Sequence, residues 1–197
     1  TAIMLLITTL FFSKFKSLFK LIQNKKNLLI LLLSGFLIFI NWAVWIYAVS
    51  SDQVINASFG YFIMPIISIY FGYFFFNEKL SIKGKFSVGI VIFSIIFLLI
   101  VDFKSIPWVG LIVAFSWSFY NLLRKKINVE TDLGLLVESL FILPFVIVAF
   151  YFIAQNNFND FEISNPSLMF ILMLAGPMTV IPLFLYVRGV EYCGLGP

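Results

Sequence analysis

Residues 27–49, NLLILLLSGFLIFINWAVWIYAV, hold no charged side chain. A run of that length spans a hydrocarbon core of about 30 Å as an α-helix, with every backbone group bonded inside the segment. Residues 55–76, INASFGYFIMPIISIYFGYFFF, repeat the pattern after a short polar turn. Working outward, further apolar stretches lie at 86–101, 108–123, 134–154 and 167–187, and 1–12 reads as an incomplete span. Period-two alternation, the mark of a membrane barrel, is absent. The expected fold is an all-α integral membrane protein, a multi-span transmembrane helix bundle whose short loops make successive spans antiparallel neighbours.

Composition agrees. Of 197 residues, 62% are hydrophobic and 11% charged, and the mean hydropathy is +1.08. A soluble core of this size cannot bury so much apolar surface. The formal charge of +4 does not indicate nucleic acid, because the basic residues sit in short loops between apolar runs. One cysteine and no histidine leave no disulfide framework, ordinary zinc site or imidazole for acid–base work, and Cys193 reads as a small apolar residue. No cofactor or metal is expected.

The thirteen Lys and Arg residues divide unequally between alternate loops. Lys14, Lys16, Lys20, Lys25, Lys26, Lys79, Lys83, Lys85, Arg124, Lys125, Lys126 and Arg188 fall in one set, and Lys104 alone in the other. The positive-inside rule puts the first set in the cytoplasm and the loops at 50–54, 102–107 and 155–166 outside. The opening TAIMLLITTLFF lacks a charged leader and a cleavage site, so it reads as a severed span. The closing GVEYCGLGP also reads as a truncation. Trp42, Trp45 and Trp108 fall toward the outer ends of their spans, as interfacial aromatics do.

Polar residues within spans carry the functional signal, since a charged group at a helix centre costs about 2.5–3.5 kcal/mol on insertion scales. Asn41, Trp45, Ala48 and Asp52 recur at helical spacing on one face, and Ser58, Tyr61, Pro65 and Ser68 on another. Pro65 also frees a backbone carbonyl. These faces either pack helices together or line a substrate cavity near the midplane, with Asn41 and Ser58 orienting a compound against Trp45 and Tyr61. The fifth span adds Ser116, Ser118, Tyr120 and Asn121, and the cluster Arg124–Lys126 reads as a lipid-headgroup anchor. Glu138, four residues into the 134–154 span, is a coupling candidate or a near-interface partner of a basic residue. Glu78 closes a turn or pairs with a lysine. YAVSSDQVINAS from Tyr47 and YVRGVEYCGLGP from Tyr186 align with Tyr47 on Tyr186 and Asp52 on Glu191, five spans apart. An odd offset reverses direction across the membrane, as in an inverted repeat.

The stretch NWAVWIYAVSSDQVINASFGYFIMPIISIYFGYFFFNEKLS from Asn41 resembles the RarD-type permeases of the EamA branch of the drug/metabolite transporter (DMT) superfamily. FSWSFYNLLRKKI from Phe115 and GLLVESLFILPF from Gly134 resemble the same family. The resemblance runs from about Asn27 to Tyr186, and by match Asn41, Trp42, Ser58, Gly60, Tyr61, Pro65, Glu78, Tyr120, Arg124, Lys125, Glu138 and Pro144 are its pattern positions. It implies two inverted halves of five helices, incomplete here: residues 1–101 as a first half lacking its first span, and 108–197 as a second lacking its last spans.

The function this implies is an inner-membrane secondary transporter of bacteria that moves a small organic metabolite or drug-like compound by alternating access. Its substrate-binding residues would be Asn41, Trp45, Ser58, Tyr61, Pro65 and Tyr120, with Glu138 coupling transport to a gradient. The alternative is a non-transporting membrane-embedded binding subunit or enzyme, against which stands the lack of any catalytic constellation or nucleotide loop. Expected partners are a small-molecule substrate and membrane lipids, with a homodimer left open and no nucleic acid.

Overall fold

A computed structural model describes residues 2–11, 14–101, 107–155 and 166–193. Lys104, most of the 155–166 connection, the closing GLGP and the side chain of Glu191 lie outside the described residues. Among the described residues eight helices follow in order: α1 (Ala2–Phe11), α2 (Phe15–Gln23), α3 (Lys25–Ser50), α4 (Val54–Phe76), α5 (Ile82–Val101), α6 (Trp108–Lys126), α7 (Thr131–Gln155) and α8 (Pro166–Cys193). Five are long and apolar enough to cross a membrane: α3, α4, α5, α7 and α8 over Pro166–Val190. Among the described residues there is no strand. The chain is an all-α, multi-pass membrane helix bundle.

Helices occupy the expected stretches with shifted ends, but α6, over the expected span 108–123, is not among the five long and apolar enough to cross a membrane. α7 begins at Thr131 rather than 134 and α8 runs on to Cys193. α2 is a helix where a loop was expected, because its apolar and lysine residues alternate at helical spacing and cancel in any average of hydropathy. α3 ends at Ser50, which moves Asp52 off the inward face assigned to it: Asp52 is an exposed turn residue with φ 54°. The left-handed conformation ends one helix so that the next can start. Asn77 does the same after α4, at φ 53°, with its N–H donating to Gly72 O.

Two compact units form. One joins Thr1–Gly35 to Asn128–Arg188 and the other Phe36–Ile127 to Gly189–Pro197. In the first, α1 packs along α7 around buried Leu5, Leu135, Leu136 and Val180. In the second, α4 and α6 form the main contact. Ala48, Ala57, Val109 and Val113 fill one end of it, and Phe71, Leu122 and Val190 another. The polar residues of α6 are accommodated by packing: Ser116, Ser118, Asn121 and Arg124 are all buried against protein.

Candidate functional site

The second unit is organised by one close approach. A Cβ on Gly60 would collide with the carbonyl oxygen of Gly110, and a Cβ on Gly110 with that of Asn56. The α4 and α6 backbones are thus in direct contact, as small residues permit within membranes. Small or slim residues recur four apart on both helices, at Gly60, Met64, Ser68 and Gly72 and at Gly110, Ala114 and Ser118.

Around that crossing the polar side chains bridge helices. Asn41 of α3 is 2% exposed, and its Nδ2 donates to Val113 O and Ser116 Oγ, both at 3.0 Å. Both amide hydrogens are thereby committed to α6. Ser68 Oγ donates to Ser118 Oγ at 3.5 Å, and Ser118 Oγ donates to Met64 O at 3.3 Å, next to Pro65. Pro65 is on the exposed side of α4, Ser58 is half-buried, and Tyr120 is fully buried with its ring 5.9 Å from that of Trp117.

Trp45 and Tyr61 do come together. The Trp45 indole donates to Tyr61 Oη at 2.6 Å, and the ring centroids are 5.7 Å apart at 42°. The phenol accepts this bond and keeps its own proton for another acceptor. Tyr61 is 40% exposed, so the pair presents a partly open aromatic surface and one phenolic donor. Nearby, Tyr47 and Trp108 pack at 5.7 Å.

The basic cluster at the end of α6 is not the headgroup anchor expected of it. Arg124 is 1% exposed, Lys125 pairs with Glu78 and lies 4.9 Å from the centre of the Phe76 ring, and only Lys126 is exposed. The expected pairing of Glu78 with a lysine is present.

In the first unit Glu138 is 3% exposed and stands about 10 Å along α7 from Thr131, at 1.5 Å per residue. Ser34 Oγ lies 2.5 Å from its Oε1 and 3.0 Å from Leu31 O. A Cβ on Gly35 would be 3.4 Å from Glu138 Cα, an ordinary van der Waals distance, so α3 and α7 touch at this point. Ser34 escaped the reading of the sequence, although it sits seven residues before Asn41 on the same helical face. Its hydroxyl has a single proton. It donates either to an ionised carboxylate or to Leu31 O while accepting from the protonated acid, so the Ser34–Glu138 bond can persist in both states.

At the junction of α1 and α2, Lys14 Nζ bonds Glu130 Oε2 at 2.6 Å and Asp132 Oδ2 at 2.7 Å. The Asp132 carboxylate first, then Glu130, holds the ammonium above its ordinary 10.5. A raised value means this contribution is complete below pH 10.5 and fades only as pH climbs through the folded value. Thermal denaturation of Lys14→Met against the parent should therefore show a difference that stays constant from pH 8 to about pH 10 and narrows above it.

Comparison with known proteins identifies what carries these features. The EamA-like transporter family matches residues 1–100. The chain belongs to that family. Protein RarD of Salmonella typhi is 35% identical over 167 residues, 85% of this chain and 56% of the relative. Protein RarD of Escherichia coli K12 is 34% identical over 84% of this chain and 56% of its own. The uncharacterized transporter YojE of Bacillus subtilis is 34% identical over 85% and 56%. RarD-type proteins of the EamA branch are thus its relatives, as the motifs indicated. The chain spans a little over half the length of these curated relatives, and no solved structure matches it.

Proposed function

We propose that this chain is the greater part of an inner-membrane secondary transporter that moves a small organic compound by alternating access between two inverted halves. Its EamA-like family supports the transport reading. The observation that carries the site is the Trp45–Tyr61 pair, a partly exposed aromatic surface with a phenolic proton to spare, held in place by the α4–α6 crossing. A planar, largely apolar compound with a hydrogen-bond acceptor suits it, since such pockets take affinity from apolar contact and selectivity from few polar groups. Asn41 supports the site by fixing α3 to α6. Glu138 with Ser34 supplies a carboxyl that tolerates both protonation states, which is what coupling to protons demands.

Uptake by the full-length protein in proteoliposomes, with a metabolite panel, tests the reading. For any compound transported, Tyr61→Phe should raise KM about 5- to 15-fold, matching one lost hydrogen bond, and Trp45→Ala should raise it further. A KM unmoved by both variants would exclude the pair from the site.

The proposed orientation puts the 13–26 segment and the start of α7 in the cytoplasm. The bonds from Lys14 to Glu130 and Asp132 support it, since they require these two connections to share one end of their unit. With native cysteines replaced, Gln155→Cys should react with a membrane-impermeant maleimide added outside intact cells and Ser17→Cys should not. The reverse pattern would invert the topology.

A further inference from the structure

α2 has three distinct faces. Leu21 is buried, and Leu18 packs on the Leu5–Leu135–Leu136 cluster, which fixes α2 to its unit. Phe15, Phe19 and Ile22 are 51%, 65% and 48% exposed and project together beside that contact. Lys16 and Lys20 are exposed about a third of a turn further round, at 100° per residue. The outer side of the helix is an open surface formed by Phe15, Phe19 and Ile22, with Leu18 along one edge and both lysines along the other. Apolar, cationic and protein-facing sides on one short helix are the geometry of a segment lying in the membrane surface.

The charges say what meets it. Between 13 and 26 there are five lysines and no acid, and no Asp or Glu precedes Asp52. Lys14 is already held by Glu130 and Asp132. Lys25 and Lys26 begin α3, the end of a helix where the dipole disfavours cations, with no acidic residue in the first turn. Anions from outside the protein would stabilise this whole stretch. We infer that α2 is an interfacial helix forming a binding site for an anionic phospholipid, its acyl chain along the exposed Phe15–Phe19–Ile22 face and its phosphate at Lys16 and Lys20. The site is separate from Trp45 and Tyr61 and does not depend on what is transported.

Two measurements on the full-length protein test this. A nitroxide at Phe19→Cys, with native cysteines replaced, is examined in vesicles of equal parts phosphatidylcholine and phosphatidylglycerol. Oxygen should relax the label and a water-soluble nickel chelate should not. Native mass spectrometry then counts the two lipids retained. Phosphatidylglycerol should be preferred, Lys16→Gln/Lys20→Gln should lower that preference about 25-fold from about fivefold per lysine, and Lys16→Arg/Lys20→Arg should keep it. Ready access of the chelate would put α2 in water, and access by neither reagent would mean that protein covers this face. Unchanged lipid preference in the glutamine variant would remove the lysines from the site. Each of these results overturns the inference.

Discussion

Glu138→Gln should abolish gradient-driven accumulation by the full-length transporter while leaving substrate exchange within about twofold of the parent. Glutamine keeps the size of the side chain and can still bond Ser34, so α3 and α7 stay joined through Gly35 and the fold is preserved. The titrating proton is lost. Exchange needs the cavity to alternate with substrate bound, whereas accumulation needs a return step coupled to a gradient, and a group that cannot change charge cannot provide it. Ser34→Ala separates position from titration. It leaves Glu138 able to ionise but removes a buried hydroxyl partner, at a cost of about 1–3 kcal/mol, so it should lower stability and alter the pH profile of accumulation without abolishing it. Parallel counterflow and accumulation assays, with melting curves for each variant, decide the matter. If Glu138→Gln still concentrates substrate with the parental pH dependence, Glu138 is a helix-pairing residue and coupling lies elsewhere.

The spans of α3, α4, α5, α7 and α8 were legible in the sequence because lipid imposes length and composition on every segment that crosses it, whatever its neighbours. Asn41 and Glu138 were legible for the same reason: each is a polar group amid apolar residues, and each is buried and bonded across helices. Their partners were not. Ser34, Ser116 and Val113 O become partners only when particular helices meet, and the main pair, α4 with α6, is not adjacent in sequence. The recurrence of Gly110, Ala114 and Ser118 every fourth residue was the available hint. The basic run at Arg124–Lys126 was misread because successive helical residues point about 100° apart, so three in a row form no single patch. Burial takes the first, Glu78 the second and the exposed side the third. α2 was missed because its signal lies in periodicity rather than in mean hydropathy. The extension of the Asn41 face to Asp52 failed because a helical period has no meaning beyond Ser50, where the helix stops.

Gly110→Ala should destabilise the protein by about 2–4 kcal/mol, more than most single substitutions. The added methyl meets the carbonyl of Asn56 and the Gly60 backbone nitrogen, and backbone cannot swing aside as the end of a side chain can. Relief requires α4 and α6 to separate, which loosens the Ala57–Val109–Val113 packing and the Ser118 bond to Met64. Gly60→Ala meets the carbonyl of Gly110 from the other side and should cost a similar amount. Gly89→Ala is the control: nothing lies within 4 Å of its added methyl, and replacing glycine inside a helix should be neutral or slightly stabilising. Thermal denaturation of the detergent-solubilised protein ranks the three, and a Gly110→Ala midpoint equal to that of Gly89→Ala would mean that the helices do not touch. The double variant is the sharper measurement. Once the first methyl has forced α4 and α6 apart, the second enters space already opened, so Gly60→Ala/Gly110→Ala should cost well under the sum of the singles. Strict additivity would place the two glycines in separate contacts and dissolve the crossing that holds Tyr61 beside Trp45.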